Sequence, residues 1–317
     1  MGSAAACRRP GARWGRRSAA DSASRWSGSG SVVTRLPLRV AIAEAERVLA
    51  QAGVESARVE AEFLAAHVVG VPRSQLVLRP LVDPSQVEAL QALVARRATR
   101  EPLQHVLGTA VLGPVEVAVG RGVFTPRPET ELLLEWGLKE LAGVANPLVV
   151  DLCTGSAALA LAFAASRPDA VVHAVEVDPA ALTWARRNTA DSRVVLHAGD
   201  IRTPDLLPEL EARVDLVVCN PPYVPLGTPV PPEVAEWDPA IAVFGGEDGL
   251  DLVPAVIETA ATLLRWGGGL AIEHDDTHAD AVPALLRRRS VLTDVQAHTD
   301  LAGRPRFATA RRTHPPT

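Results

Sequence analysis

From about residue 148 onward, short apolar segments alternate with segments of helical character, and this alternation restricts the possible folds more than any other feature of the sequence. The predicted strands are Leu148–Leu152, Ala170–Val175, Val194–His197, Leu216–Cys219 and Gly269–Ile272. Strands that alternate with helices form parallel sheets with helices on both faces. In such sheets a ligand lies beyond the carboxyl ends of the strands, where the strand order reverses. The residues that end each strand are therefore the first candidates for a functional site.

The part of the chain before this alternation has the periodicity of helices. Apolar residues recur at spacings of three and four between Leu36 and about Arg100, and Gly53 and Gly70 provide stop signals. A short alternating segment between Gly108 and Pro128 predicts a β-hairpin. We therefore predict a small all-helical domain at residues 36–104, a linker with a hairpin at residues 105–135, and the α/β domain at residues 136–317.

The charge is distributed unevenly along the chain. Residues 1–35 contain seven arginines and one acid, a net charge of +6, and the net charge of the whole chain is −5, so the remainder carries −11. The first 35 residues are rich in Gly, Ser, Ala and Arg, which predicts a disordered tail, although an organellar presequence has a similar composition. A body this acidic is poorly suited to a nucleic-acid backbone, which requires clustered basic residues.

The cysteine content and the hydropathy exclude two further classes of protein. Cys7, Cys153 and Cys219 are odd in number and have no CxxC spacing, so they predict reduced thiols in a cytoplasmic protein and no metal site. No run of eighteen apolar residues occurs, and we therefore expect no membrane partner.

The loop after the first strand has the residue types of a cofactor-binding turn. It reads Cys153-Thr154-Gly155-Ser156-Ala157 and leads directly into an Ala- and Leu-rich segment. A tight turn between a strand and a helix exposes backbone N–H groups to a ligand. A dinucleotide site would have GxGxxG here, and only Gly155 is present, so an ordinary turn is an equal alternative at this point.

Acidic residues at the next two strand ends support the cofactor interpretation. Glu176 follows the second strand, at a distance from the loop that suits hydrogen bonds with ribose hydroxyls. Asp200 and Ile201 follow the third strand, where a carboxylate and an apolar side chain suit the amino group and the ring of adenine. A nucleoside site without a pyrophosphate site fits S-adenosylmethionine better than a dinucleotide.

The fourth strand ends in Asn220-Pro221-Pro222-Tyr223, which we predict to be the catalytic loop. Two prolines stop the strand and fix the backbone. The Asn220 side-chain oxygen and the Pro221 carbonyl can then accept both protons of one NH₂ group, which orients its nitrogen for attack on a methyl carbon. Tyr223 supplies a flat face for a planar group.

With these motifs, the chain resembles the PrmC/HemK-type release factor glutamine methyltransferases from about residue 38 to residue 312. Three further segments, in the expected order around the catalytic loop, carry the resemblance: Glu101-Pro102-Leu103-Gln104-His105, Pro126-Arg127-Pro128-Glu129-Thr130-Glu131, and Asp238-Pro239 followed by Gly245-Gly246-Glu247-Asp248-Gly249-Leu250. The resemblance implies a class I methyltransferase (Rossmann-like) domain behind a helical substrate-binding domain. It also implies transfer of a methyl group from S-adenosylmethionine to the glutamine of the Gly-Gly-Gln motif in class I peptide chain release factors.

The resemblance places the cofactor on residues 153–157, Glu176, Asp200, Ile201 and Asn220, and the substrate amide on Asn220–Tyr223. The sequence departs from the family at Cys153 and Ala157, where glycine is usual. We expect the Ala157 Cβ to crowd the methionine part of the cofactor. The glutamine often found after the fifth strand of the family is absent from residues 273–278.

Two other functions remain to be weighed. The same Asn-Pro-Pro-Tyr loop occurs in methyltransferases of exocyclic amines in nucleic acids, against which the acidic body argues. A binding or assembly protein that has lost catalysis is the second alternative, and the missing loop glycines are its only support.

Overall fold

The computed structural model describes residues 35–313 of the chain. The predicted disordered tail, residues 1–35, therefore lies outside the described residues except for Arg35. The described chain begins with a helical region, in which a short antiparallel pair, β1 (Leu36–Pro37) and β2 (Leu81–Val82), accompanies α1 (Leu38–Gln51), α2 (Ala57–Val69), α3 (Pro84–Ala98) and α4 (Leu103–Leu107).

Local signals explain where these helices begin and end. Gly70 follows α2 with a φ of +67°, a left-handed conformation that glycine adopts without steric cost. Proline is favoured at the first position of a helix, and α3 begins at Pro84, where the Asp83 N–H donates to the Gln86 side chain at 3.0 Å. The apolar faces of α1, α2 and α3 meet in a core of their own that includes Leu49, Leu64 and Leu90.

A hairpin and a helix connect this region to the large sheet. Strands β3 (Thr109–Leu112) and β4 (Val115–Ala118) pair antiparallel, as the alternating pattern predicts. A 3₁₀ turn over Pro128–Thr130 leads into α5 (Glu131–Glu140). Glu131 accepts a hydrogen bond from the backbone N–H of Gly113 in the hairpin turn at 3.0 Å, so the start of α5 is tied to the hairpin.

The large sheet has seven strands in the order β10-β11-β9-β8-β5-β6-β7. Its parallel strands are β5 (Leu148–Leu152), β6 (Val171–Glu176), β7 (Val195–Ala198), β8 (Val214–Cys219) and β9 (Leu264–Glu273). The intervening helices are α6 (Ala158–Ser166), α7 (Pro179–Thr189), α8 (Pro232–Trp237), α9 (Ala240–Val243) and α10 (Val253–Leu263). Strand order reverses between β5 and β8, so residues 153–157 and Asn220 follow the two strands at the reversal.

Apolar side chains fill both sides of the sheet. Leu216 and Val218 of β8 pack with α5, α6 and the hairpin, whereas Val217 and Cys219 pack with α10 and α11 (Ala281–Arg288) on the other face. This double burial explains why the central strands β5 and β8 consist mostly of apolar residues.

The last two strands were not predicted. Strands β10 (Leu292–Thr299) and β11 (Pro305–Arg312) form an antiparallel pair, and β11 also pairs antiparallel with β9. β10 is a half-exposed edge strand with polar residues, and the buried centre of β11 is Phe307-Ala308-Thr309-Ala310, which is too short and too small in its side chains to resemble an apolar strand. The sheet is therefore mostly parallel, with one antiparallel end. Within residues 35–313, no helix combines the length and the apolar character needed to cross a bilayer.

Candidate active site

A cavity of about 560 Å³ lies at the carboxyl ends of the parallel strands. Its wall contains most of the residues that the sequence proposes for the site: Cys153, Thr154, Gly155, Ser156, Glu176, Asp200, Ile201, Asn220, Pro221, Pro222 and Tyr223. The proposed cofactor residues and the proposed catalytic loop thus face one continuous space. Its volume is in the range of small-molecule sites.

The first loop is held in a backbone conformation that suits glycine. Cys153, Gly155 and Ala157 all have positive φ, of +57°, +58° and +65°. The two positions where the family has glycine and this chain does not are therefore left-handed, which costs about 1–2 kcal/mol for each non-glycine residue. The departures from the family pattern thus affect the backbone of the loop.

Ala157 is fully buried, and it is not one of the described residues that line the cavity. Its N–H donates to the carbonyl of Thr154, and its carbonyl accepts from Leu161, so it forms the junction between the loop and α6. The structure places Ala157 away from the cavity wall, and crowding of the cofactor by its Cβ stays a prediction. Cys153, by contrast, lines the cavity, and its thiol is hydrogen-bonded to the free thiol of Cys219. The pKa of Cys219 is raised mainly by burial and also by this hydrogen bond.

Glu176, at the end of β6, holds the loop that follows β5. Its carboxylate accepts hydrogen bonds from the backbone N–H groups of Gly155, Val177 and Asp178, each at 2.8 Å. Burial raises the pKa of Glu176, although these three bonds oppose the shift. A carboxylate has about four lone pairs, so three bonds leave room for at least one hydroxyl donor from the cavity. This residue fits a ribose.

Asp200, proposed to bind the adenine amino group, is already paired with a side chain of the protein. Arg202 contacts both of its carboxylate oxygens, with the shortest distance 2.6 Å from Nη2 to Oδ2, and this bond is the main reason that the pKa of Asp200 is lowered. Both side chains are partly exposed, so an amino group that binds Asp200 would share it with Arg202 or displace it. Ile201 is buried in the core beside the cavity and can cover one face of a ring.

Asp151 also lines the cavity, and sequence reasoning missed it because it lies inside an apolar strand. Its Oδ2 atom accepts from the Thr154 hydroxyl at 2.5 Å and from the Ala160 N–H at 3.2 Å. Burial raises the pKa of Asp151 to about 7. A buried carboxylate with one committed oxygen fits a cationic ligand group such as the α-ammonium of an amino acid.

This shift predicts how Asp151 affects stability. The folded protein holds the Asp151 proton up to a pH of about 7, whereas the unfolded chain loses it near 3.8, so the stabilisation that the proton provides is lost as the pH rises between these values. Relative to Asp151→Asn, the wild-type protein should lose about 2–3 kcal/mol of unfolding free energy between pH 5 and pH 8. Urea unfolding of both proteins at these pH values measures the difference, and a constant difference would contradict the prediction.

The catalytic loop rests on glycines of the segment that follows it. The Val224 N–H donates to the Val243 carbonyl, and the Gly245 N–H donates to the Val224 carbonyl. A Cβ on Gly245 would lie 2.5 Å from the Pro222 carbonyl oxygen, and one on Gly249 would lie 2.3 Å from that of Tyr223. The Gly-Gly-Glu-Asp-Gly segment therefore lacks side chains where it supports the loop.

Two residues that the sequence did not assign to the site bond the catalytic loop directly. The Asn220 Nδ2 atom donates to the Thr130 hydroxyl at 3.1 Å, and Thr130 donates to Glu273 Oε2 at 2.9 Å. Tyr223 donates to Glu273 Oε1 at 3.2 Å, and burial with the adjacent carboxylate raises its pKa. Glu273 ends β9, so the rule that identified Glu176 and Asp200 at strand ends could have identified it.

Buried ion pairs join the helical region to the outer wall of the cavity. Arg97, with 4% of its surface exposed, bonds Glu60 at 2.5 Å and Glu233 of α8 at 2.8 Å. Arg127 bonds the buried carboxylate of Asp238 at 2.6 Å. Val230, Pro231 and Val234, beside or within α8, line the cavity, so the Arg97–Glu233 pair connects the helical region to one wall of the cavity.

Comparison with known proteins agrees with this architecture. Residues 41–108 match the family model of the PrmC N-terminal domain, and residues 121–228 match that of the methyltransferase small domain. The catalytic domain of hMettl16, solved in complex with a MAT2A 3′UTR hairpin, is similar in fold, with a TM-score of 0.50 and 16% identity, covering 70% of this chain and 81% of that one. This likeness identifies the class I methyltransferase fold.

Sequence relatives are similar over almost their entire length. The release factor glutamine methyltransferase of Mycolicibacterium smegmatis is 51% identical, over 87% of this chain and 98% of the relative. Those of Mycobacterium tuberculosis and Streptomyces coelicolor are 48% and 47% identical, over 87% and 86% of this chain and 92% and 98% of the relatives. The chain therefore belongs to the family of release factor glutamine methyltransferases and is an S-adenosylmethionine-dependent methyltransferase.

Proposed function

We propose that this chain transfers a methyl group from S-adenosylmethionine to the side-chain amide nitrogen of the glutamine in the Gly-Gly-Gln motif of class I peptide chain release factors. The relatives that carry this activity in their names support the substrate. The observation that carries the chemistry is the pair of free acceptors on the catalytic loop. No described residue donates to Asn220 Oδ1 or to the Pro221 carbonyl, and both residues line the cavity.

These two acceptors suit a primary amide. A glutamine NH₂ group has two protons, so Oδ1 and the carbonyl can take one each and hold the nitrogen at a fixed angle. Fixed dipoles also stabilise the positive charge that develops on the nitrogen during methyl transfer. Tyr223, with its hydroxyl bonded to Glu273, offers its ring as a wall for the planar amide.

The remaining wall residues fit the cofactor. When bound, S-adenosylmethionine would supply an electrophilic methyl group: its S–CH₃ bond would break as the N–CH₃ bond forms, leaving S-adenosylhomocysteine, and the amide nitrogen would release one of its two protons to solvent. We assign the ribose to Glu176, the adenine to Asp200 and Ile201, and the amino-acid part to residues 153–157 together with Asp151. Ala157 contributes by shaping the loop, because its side chain does not face the cavity.

The Glu176 assignment predicts a defect in binding. Glu176→Ala should weaken S-adenosylmethionine binding by about 1–3 kcal/mol, because ribose hydroxyls and the Gly155 N–H lose their acceptor. Isothermal titration calorimetry measures the affinity. Ala157→Gly is the matched control, because it changes the same loop without changing the cavity wall, and its affinity should stay within about a factor of three. Unchanged affinity in Glu176→Ala would remove the ribose from this residue.

The proposed function is tested by locating the product. Intact release factor incubated with this protein and S-adenosylmethionine should gain one methyl group on the Gly-Gly-Gln glutamine, which peptide mass spectrometry detects. A release factor with that glutamine replaced by glutamate should gain none. Duplex DNA and RNA form a parallel arm of the experiment, and label on a nucleobase would establish the nucleic-acid alternative instead.

The setting of this reaction is also part of the proposal. Class I release factors act at the ribosome, so we propose a cytoplasmic enzyme that modifies the translation termination machinery. Its partner is the protein substrate. We propose no direct contact with nucleic acid and no membrane partner, in keeping with the acidic body of the chain.

A further inference from the structure

We infer that Thr130 and Glu273 are positioning residues that fix the orientation of the Asn220 carboxamide. In this orientation its oxygen, and not its NH₂ group, faces the amide nitrogen of the substrate. The inference rests on the proposed function, in which Asn220 Oδ1 accepts a proton of the substrate amide. Without such a device the two orientations of a carboxamide, related by a half turn, are similar in shape and opposite in hydrogen bonding. The wrong orientation would present two donors to a substrate NH₂ group.

The hydrogen-bond geometry selects one orientation. The Thr130 hydroxyl has a single proton, and it lies 2.9 Å from Glu273 Oε2. An ionised carboxylate only accepts, so the Thr130 proton must point toward Glu273. The Thr130 oxygen can then only accept on its other side, 3.1 Å away, and the Asn220 atom at that position must be Nδ2.

Both groups are largely shielded from solvent, although Thr130 also borders the cavity. Thr130 and Glu273 are 5% and 1% exposed, and both lie between the start of α5 and the end of β9. Tyr223 donates to the second oxygen of Glu273, so one carboxylate is connected to both ends of the catalytic loop, directly to Tyr223 and through the Thr130 hydroxyl to Asn220. A chain of bonds in a buried environment holds its members more firmly than isolated contacts at the surface.

The arrangement depends on the ionisation of Glu273. Burial raises the pKa of Glu273 to about 7, the Thr130 and Tyr223 bonds and the Arg306 guanidinium of β11 oppose the shift, and the neighbouring Glu129 carboxylate adds to it. When Glu273 is protonated, it can donate to Thr130, and the Thr130 proton is then free to point toward Asn220. That state accepts the reversed carboxamide, so the turnover number should fall as the pH drops below about 7.

The first test separates positioning from folding. Thr130→Val should lower kcat by about 10- to 100-fold, with S-adenosylmethionine affinity within about a factor of three, because the reacting amide loses alignment. Thr130→Ser keeps the hydroxyl and should recover most of the rate. The matched control is Thr125→Val, which removes a buried hydroxyl of the same linker that bonds His105 at 3.2 Å and not the catalytic loop.

The pH profile provides a result that a merely structural role would not produce. At saturating S-adenosylmethionine, whose ammonium group keeps Asp151 ionised in the proposed site, the kcat of the wild-type enzyme should decline on the acid side with an apparent pKa near 7. Glu273→Gln and Thr130→Val should both have a low kcat that does not fall further on the acid side. Glu273→Gln removes the titrating carboxyl group, and Thr130→Val removes the hydroxyl that connects Glu273 to Asn220. Wild-type activity in Thr130→Val, or an unchanged acid limb in Glu273→Gln, would overturn the inference.

The second test does not depend on activity. The chain has one tyrosine and three asparagines, Asn146, Asn188 and Asn220, so selective labelling gives few and assignable NMR signals. The ¹³Cζ signal of Tyr223 should titrate near pH 7 in the wild-type protein and in Thr130→Val, and not in Glu273→Gln. The side-chain ¹⁵NH₂ signals of Asn220, identified from Asn220→Ala, should titrate with the same midpoint in the wild-type protein alone.

These readouts distinguish the two proposals. If no release factor is methylated by the wild-type protein, the proposed function fails, while the NMR titrations still decide whether Glu273 controls the Asn220 carboxamide. If methylation occurs and the Asn220 signals are the same in the wild-type protein and in Thr130→Val at all pH values, the function stands and the positioning role is wrong.

Discussion

Asn220→Ala is expected to slow methyl transfer by about 10²–10³ while S-adenosylmethionine affinity stays within about a factor of three, because the variant loses one preorganised acceptor at the reacting nitrogen. Single-turnover rates on intact release factor measure the chemical step, and calorimetry measures the affinity. The Thr130 hydroxyl also loses its donor in this variant, but its bond to Glu273 remains. Full activity in Asn220→Ala would remove this residue from the mechanism.

The structure predicts that Asn220→Asp is no better, although aspartate keeps an oxygen in place. A carboxylate has no proton to donate to the Thr130 hydroxyl, so it competes with Glu273 for the single Thr130 proton. Two buried carboxylates on one hydroxyl repel each other, and one of them should take up a proton. The rate of Asn220→Asp should therefore stay within about tenfold of that of Asn220→Ala at pH 7.

Gly245→Ala is expected to reduce kcat by about 10² and to cost about 1–3 kcal/mol of unfolding free energy. The new Cβ would lie 2.5 Å from the Pro222 carbonyl oxygen and 2.6 Å from that of Gly249, so the backbone of the catalytic loop must move. A displacement of this size moves the Pro221 carbonyl and the Asn220 side chain with it. Steady-state kinetics and thermal unfolding measure the two effects.

Two other glycines separate this collision from backbone strain. Gly245 does not adopt a left-handed φ, so its substitution tests the collision alone. Gly227 has a φ of +81° with no atom near a new Cβ, so Gly227→Ala should cost about 1 kcal/mol and leave kcat within about twofold. Gly143 has neither constraint, and Gly143→Ala should be neutral. Equal kcat values for Gly245→Ala and Gly143→Ala would show that the loop adapts to the added methyl group.

The central sheet could be predicted from the sequence because its middle strands, β5 and β8, are buried on both faces. Such strands are mostly apolar, and the five parallel strands were predicted within a few residues of their observed bounds, except that β9 begins five residues earlier. The antiparallel strands β10 and β11 were not predicted, since polar edge residues and small buried alanines give no such signal.

The candidate cofactor residues and the catalytic loop could also be proposed from the sequence, because in a parallel sheet the carboxyl ends of the strands meet at one edge. The cavity wall contains the proposed residues of three loops that are far apart in the chain, at Gly155, Glu176 and Asn220. Which residues follow the end of a strand depends on the local sequence, so these candidate positions could be proposed without the structure. The sequence could not show that Ala157 lies off the cavity wall, because the direction of one Cβ depends on the φ of the loop.

The tertiary structure alone decided which residues support the catalytic loop. Thr130 is 90 residues from Asn220 and 143 from Glu273, and the spacing along the chain gives no indication that their side chains bond. The same holds for Arg97 and Glu233, which are 136 residues apart. The sequence by itself determined the sheet, the strand ends and the chemical types gathered there, since these follow from local periodicity and turn chemistry. The orientation of the Asn220 carboxamide was decided only by packing, because it depends on which buried hydroxyl and carboxylate the folded chain brings beside it.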